Sequence, residues 1–255
     1  LIPLPVVPLK GITVLVTRPA DQTDSLCGRI EALGGTAIRF PAIAIEPVAA
    51  MPSSQQYDWV IFISANAVRY GLKYVSRGAR TRIAAIGKAT AAVLVANNVP
   101  IDVVPSQAST SESLLAHPEL ANIATQSVLI VKGLGGRELL QDALSQRAAQ
   151  IATLDVYRRV LPPLDPTASE QLEQLWVDAP IDVVTITSVE TLDNLFALIT
   201  EKCRALLAST AFVTVSERIA AAARVRELKG PCLLSRNADD DSIVGAIAAW
   251  HARAR

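Results

Sequence analysis

Short apolar runs rich in valine and isoleucine recur along the chain, each followed by a polar turn and then by apolar positions at helical spacing. The first run is Ile12 to Val16. Thr17-Arg18-Pro19 turns it, Leu26, Ile30 and Leu33 mark the helix behind it, and Gly34-Gly35 ends that helix with a left-handed cap. Runs of this kind bounded by turn residues predict buried strands. Thr36 to Phe40, punctuated by Pro41 and Pro47, predicts the next strand, and Trp59 to Ile63 the one after. Ser64-Ala65-Asn66 is a turn with N-cap chemistry, and Val68, Leu72 and Val75 share one helix face. Arg82 to Ile86 is a further strand ending at Gly87-Lys88, a helix of small residues runs to Ala96, and Ile101 to Val104 is apolar again. Ser106 to Ser113 is a Ser/Thr-rich loop that ends in a helix start.

The second half repeats these elements in the same order. Val14 to Pro47 and Val128 to Pro162 run through one pattern of strand, polar turn, helix and a second strand reaching a proline. Ile181 to Ser188 matches Tyr57 to Ser64, and Ala211 to Arg218 matches Arg82 to Ala89. Leu192, Leu195, Phe196 and Ile199 give the matching helix its apolar face, and Ile243, Ala246, Ile247 and Trp250 stripe the last helix. Strands alternating with helices predict an α/β fold with parallel sheets covered on both faces. The long-period duplication predicts two similar lobes, the alternative being one sheet of ten strands. Only the second copy carries a tyrosine, Tyr157, in its return strand; the first has Ala42-Ile43 there.

Composition narrows the chemistry. A chain of 255 residues, 51% hydrophobic, can bury two cores. Lys+Arg 24 against Asp+Glu 24 leaves no bulk attraction to nucleic acid, so any anion must be recognised locally. Cys27, Cys203 and Cys232 are scattered and odd in number, which fits a reducing cytoplasm. His117 and His251 have no ligand-spaced neighbours, so no metal centre is expected. The apolar opening Leu1 to Pro8 is broken by prolines, and we expect neither signal peptide nor membrane helix from it.

Ligands of open parallel sheets gather at the carboxyl ends of strands. Here that rule selects Thr17-Arg18, Ser64-Ala65-Asn66, Gly87-Lys88, Lys132-Gly133, Thr187-Ser188 and Ser216-Glu217-Arg218. Small hydroxyls, glycines and cations at helix starts suit a carboxylate or phosphate, although each Ser or Thr can equally be a simple helix cap. The loop Lys132-Gly133-Leu134-Gly135-Gly136-Arg137 lacks the third glycine of a dinucleotide fingerprint and the Lys-Ser/Thr of a P-loop, leaving it as an anion-approach loop. No Gly-x-Ser-x-Gly elbow exists, and Asp239-Asp240-Asp241 reads as first-turn dipole complementarity on a solvated surface. Tyr157 is either a half-buried strand tyrosine or a functional phenol, with Arg158-Arg159 beside it.

Taken in order, Val14 to Pro19, the block Tyr57 to Val68, Ala84-Ala85-Ile86-Gly87, Val103-Val104-Pro105, Gly135 to Leu139, Val156-Tyr157-Arg158-Arg159 and Val215 to Ala220 resemble the uroporphyrinogen-III synthase family across nearly the whole chain. Ile63, Lys88 and Lys132 depart from it, standing where Thr, Pro and Arg are frequent. The resemblance implies two lobes joined by a two-stranded antiparallel linker: 1–40 with 165–255, then 49–155, with linkers 41–48 and 156–164. It implies a hydro-lyase that cyclises hydroxymethylbilane to uroporphyrinogen III with loss of water and inversion of ring D, through an azafulvene and a spiro intermediate. Such an enzyme needs no cofactor, mainly folding a substrate that otherwise closes to the wrong isomer. Tyr157 would be the catalytic residue. Thr17, Arg18, Ser64, Ala65, Asn66, Lys132, Gly133, Gly135, Gly136, Arg137, Thr187, Ser188, Ser216 and Arg218 would bind substrate. A monomer without nucleic-acid or membrane partners is expected, taking substrate by transient hand-over from the preceding pathway enzyme. A non-catalytic two-lobed binder of a carboxylated metabolite is the alternative.

Overall fold

The computed structural model describes residues 8–51, 54–106, 110–135, 138–147 and 150–254. The opening segment Leu1 to Val7, about which a membrane expectation was formed, lies outside them. In chain order the strands are β1 (Thr13–Val16), β2 (Thr36–Arg39), β3 (Ala44–Pro47), β4 (Trp59–Phe62), β5 (Arg82–Ala85), β6 (Ser127–Gly133), β7 (Gln150–Val160), β8 (Val183–Thr185), β9 (Ala211–Thr214) and β10 (Cys232–Leu234). The helices are α1 (Thr23–Ala32), α2 (Ala65–Gly71), α3 (Lys88–Ala96), α4 (Ser111–Leu115), α5 (Leu139–Gln146), α6 (Pro166–Asp178), α7 (Val189–Leu198), α8 (Glu201–Leu207), α9 (Glu217–Val225) and α10 (Asp240–Ala254).

The chain divides into two compact units, Leu1–Ala44 with Val160–Arg255, and Ile45–Arg159. Each holds a five-stranded sheet, ordered β10-β9-β8-β1-β2 in the first and β3-β7-β6-β4-β5 in the second, rather than one sheet of ten. Within the first unit β1 pairs in parallel with β2 and β8, and β9 with β8 and β10. In the second, β4 pairs in parallel with β5 and β6, and β6 with β7, while Val103 adds a parallel bridge to Ala84 beyond β5. Strand β1 therefore lies against β8, not against β4. Each sheet combines the strand-helix-strand of one sequence copy with the remaining strands of the other.

Both faces of each sheet are buried, as continuous apolar parallel strands require. In the first unit Leu15, Val184, Ile186 and Phe212 face Leu172, Trp176, Leu192, Leu195 and Leu207. On its other face Val14, Val16, Val183 and Val213 meet Leu26, Ile30, Ile243 and Ile247. The second unit repeats this: Val60, Phe62 and Val131 pack on Ala67, Val68 and Leu94, and Trp59, Ile61 and Ile130 on Leu114, Leu140 and Leu144. Truncating a filled core position such as Phe212 to alanine costs about 3–5 kcal/mol.

An aspartate fixes neighbouring strand starts in both units. Asp182 accepts from the Thr13 amide at 2.8 Å, and Asp58, its match in the other copy, from the Ser127 amide at 2.8 Å. Asp102 does the same for the Ile83 amide at 2.7 Å. The two return strands differ. Pro41 has no N–H to give a ladder, and β2 stops at Arg39 before β3 starts at Ala44. No proline interrupts Gln150–Val160, so β7 runs unbroken over 11 residues and brings Tyr157 level with Gly133, the last residue of β6.

Candidate active site

The carboxyl end of the second unit's sheet is built around Tyr157. Its ring is only 3% exposed, deeper than the half-buried position its strand pattern predicts. The ladder between β6 and β7 shifts at Lys132/Gly133, which pairs Gly133 with Tyr157, and the Leu134 amide donates to the Tyr157 carbonyl at 2.7 Å. A Cβ on Gly133 would stand 2.6 Å from the phenol Cζ, so the absence of a side chain there gives the ring its place. Tyr70 packs against the ring at 6.2 Å between centroids, tilted by 35°. The Arg159 guanidinium lies 5.8 Å from its centroid.

The phenol oxygen sits 3.0 Å from Ser64 Oγ. Ser64 follows β4 in extended conformation (φ -167, ψ 161) and caps α2, its Oγ accepting from the Ala67 amide at 2.9 Å. Ser64 and Ala65 are half-buried, and Asn66 is buried with its Oδ1 accepting from Arg69 at 2.8 Å. Lys132 stands 3.8 Å from Asp155 Oδ1 across the β6–β7 ladder and so is engaged inside the unit. Gly135 takes a positive φ of 75, the left-handed conformation that glycine tolerates at no steric cost. Gly136 and Arg137, both expected to bind substrate, lie outside the described residues.

In the first unit Thr187-Ser188 and Ser216 are half-buried at the ends of adjacent strands β8 and β9. Ser188 caps α7 through the Thr191 amide at 2.9 Å, and Ser216 caps α9 through the Ile219 amide at 3.4 Å. Arg218 is exposed on the first turn of α9. Thr17 and Arg18 do not join this set. Thr17 is 1% exposed, its amide donates to Thr185 Oγ1 at 3.0 Å, and its hydroxyl donates to the Thr185 carbonyl. Arg18 is ion-paired to Asp240 and donates to the Ala238 carbonyl. The acidic triplet is likewise more than a solvated dipole partner. Asp239 accepts from the Ser242 amide at 2.8 Å as the cap of α10, Asp240 holds Arg18 and Asp241 holds Arg29.

One contributor escaped the sequence reading: Tyr70 had no signal beyond lying on α2 downstream of Ser64. Gly133 was expected to bind substrate, and the structure adds that it makes room for the Tyr157 ring, the close approach that a glycine within an apolar strand marks. The thiols are not nucleophiles in waiting: burial pushes Cys27, Cys203 and Cys232 up, away from the reactive thiolate. What remains at the Tyr157 end is a phenol in contact with a hydroxyl, beside backbone donors and cations. Such a set can donate a proton to a leaving oxygen and hold anions.

The family profile described as uroporphyrinogen-III synthase HemD matches residues 24–244. The uroporphyrinogen-III synthase of Escherichia coli (strain K12) is 31% identical over 252 residues, covering 92% of this chain and 100% of its own. That of Chlorobaculum parvum is 29% identical over 200 residues, covering 74% and 80%. Among solved structures, uroporphyrinogen-III synthetase from Helicobacter pylori aligns with a TM-score of 0.63 at 11% identity over 94% of this chain and 99% of its own. A mutant uroporphyrinogen III synthase from Thermus thermophilus aligns at 0.58 and 19% identity, covering 96% and 100%. At these identities the two structures speak to the fold.

Proposed function

The chain belongs to the uroporphyrinogen-III synthase family, and from that premise we propose that Tyr157 supplies the proton that turns the substrate's leaving hydroxyl into water. The protein is a lyase that cyclises hydroxymethylbilane to uroporphyrinogen III in tetrapyrrole biosynthesis, losing water and inverting ring D. The observation that supports the role of Tyr157 is its hydroxyl contact with Ser64 at the carboxyl end of the sheet, on a ring that Gly133 leaves room for. A neutral phenol donates at neutral pH, and loss of water from a hydroxymethyl carbon attached to an electron-rich pyrrole needs little more.

The substrate's acetate and propionate groups are held chiefly by backbone amides, at Ser64 to Asn66, Gly133 to Gly136, Thr187-Ser188 and Ser216 to Arg218. Helix starts at three of these turns place partial positive charge there. Lys132 contributes through its charge rather than by contact, being engaged by Asp155. The enzyme works as a monomer in the cytoplasm, where its three free cysteines stay reduced, and receives its labile substrate from the enzyme that makes it.

Tyr157→Phe keeps the ring and its packing. It is expected to bind substrate with KM within about twofold of wild type and to form the type III product about 10²-fold more slowly, the low end for general acid help. Spontaneous type I product rises in its place. Chromatographic separation of the oxidised isomers over time reads both, and a phenylalanine variant as fast and selective as wild type contradicts the assignment.

A further inference from the structure

We infer that Ser64 delivers the proton that Tyr157 supplies, so that the acid is a relay of two hydroxyls; this deepens the assignment of Tyr157 and rests on it. Tyr157 is 3% exposed and cannot easily swing outward. Gly133 lies under its ring, Tyr70 packs against it, and its carbonyl is held by the Leu134 amide at 2.7 Å. Ser64, 3.0 Å from the phenol oxygen, is half-buried at the end of a central strand. A serine hydroxyl has two acceptor positions and one proton. The Ala67 amide fills one acceptor position at 2.9 Å. The phenol is the stronger acid and fills the other, which leaves the serine proton free to point away from the core. Direct contact between Tyr157 and substrate would require the ring to leave its packing. The relay requires no movement.

Ser64 gives its proton to the leaving hydroxyl oxygen, the C–O bond breaks, and its electron pair departs in water. The lone pair of the adjoining pyrrole nitrogen moves in, forming the azafulvene in its protonated form. The Tyr157 proton refills Ser64 and leaves a phenolate, which accepts a hydrogen bond from Ser64 beside the Arg159 guanidinium 5.8 Å from the ring centroid. When the macrocycle closes, the proton lost by the substrate returns through Ser64 to the phenolate.

Ser64→Thr and Ser64→Val have the same shape and differ in the hydroxyl. Steady-state kinetics with hydroxymethylbilane should show the threonine variant within about threefold of wild-type kcat. The valine variant should fall about 10²-fold, to the level of Tyr157→Phe, with KM within about twofold. The double variant Ser64→Val/Tyr157→Phe should be no slower than either single one, because a relay broken twice is still one broken relay. Ser64→Asn keeps an N-cap acceptor and has no hydroxyl, so it supplies a folded comparison if valine costs too much stability. The relay is overturned if the valine and asparagine variants, folded by circular dichroism, stay several-fold faster than Tyr157→Phe, or if the two losses multiply. Should Tyr157→Phe alone match wild type, the assignment of Tyr157 falls, an outcome separate from a fast Ser64 variant beside a slow Tyr157 one.

Discussion

Gly133 carries no side chain because the Tyr157 ring occupies the space a Cβ would take. Gly133→Ala therefore forces either the ring or β6 to move, and overpacking of this kind costs about 1–3 kcal/mol. We expect a lower melting temperature together with a loss of kcat approaching that of Tyr157→Phe; an alanine variant that melts and turns over like wild type would show that the contact is not tight. The hydroxyl turns are separable from this pair. Ser188→Ala removes the cap of α7 and should cost about 1 kcal/mol of stability while leaving the backbone amides of the turn in place. A KM raised more than about tenfold would mean the side chain, not the backbone, holds substrate. At this scale the sequence reading was least complete. Thr17-Arg18 has the composition of an anion turn, and nothing local reveals that Thr185 and Asp240, 168 and 222 residues away, consume it. Tyr157 stood out because the duplicated strand lacks a tyrosine, yet its partner Ser64 comes from 93 residues earlier.

Most of the elements were legible because parallel strands buried on both faces announce themselves as apolar runs, and turns such as those at Ser64, Ser188 and Ser216 carry their own capping residue. Their pairing was less so. Pro41 shows where β2 must end, and the second copy's return strand, read as running to a proline, does extend to Val160, but the chain says nothing locally of which strands they pair with. The aspartates at strand starts tie adjacent strands together and respond to pH. Asp58 is held below the usual carboxylate value near 3.9, first by the Ser127 amide and then by the Ser127 hydroxyl. Since its folded pKa is the lower one, its contribution is complete above about pH 4 and disappears as pH falls through the folded value. Asp58→Ala should cost about 1 kcal/mol at pH 7, allowing for the exposure of the carboxylate. Melting temperatures of wild type and variant should stay a constant distance apart from pH 8 to 5 and converge below 4; a gap that widens in acid would assign the stabilisation elsewhere.

Across the whole molecule the duplication is crossed: β1 and β2 complete a sheet with β8 to β10, while β3 to β7 share the other. Residues 45–159 thus contain a full sheet and cores on both of its faces. That fragment is expected to fold alone with a cooperative thermal transition, whereas 1–44 should remain unstructured without β8; a structureless 45–159 fragment would contradict this division. Most of the strands could be read from the apolar pattern, though not the short β10, but which sheet each joins depends on pairings far apart in the chain, and it was the family resemblance that implied the crossing. The central claim is that this molecule closes a linear tetrapyrrole with one ring inverted. It is tested most directly by giving the protein freshly made hydroxymethylbilane, oxidising the product and resolving the uroporphyrin isomers by chromatography. The account predicts predominantly the type III isomer, formed in proportion to protein added. Type I alone, at the rate seen without protein, would contradict it.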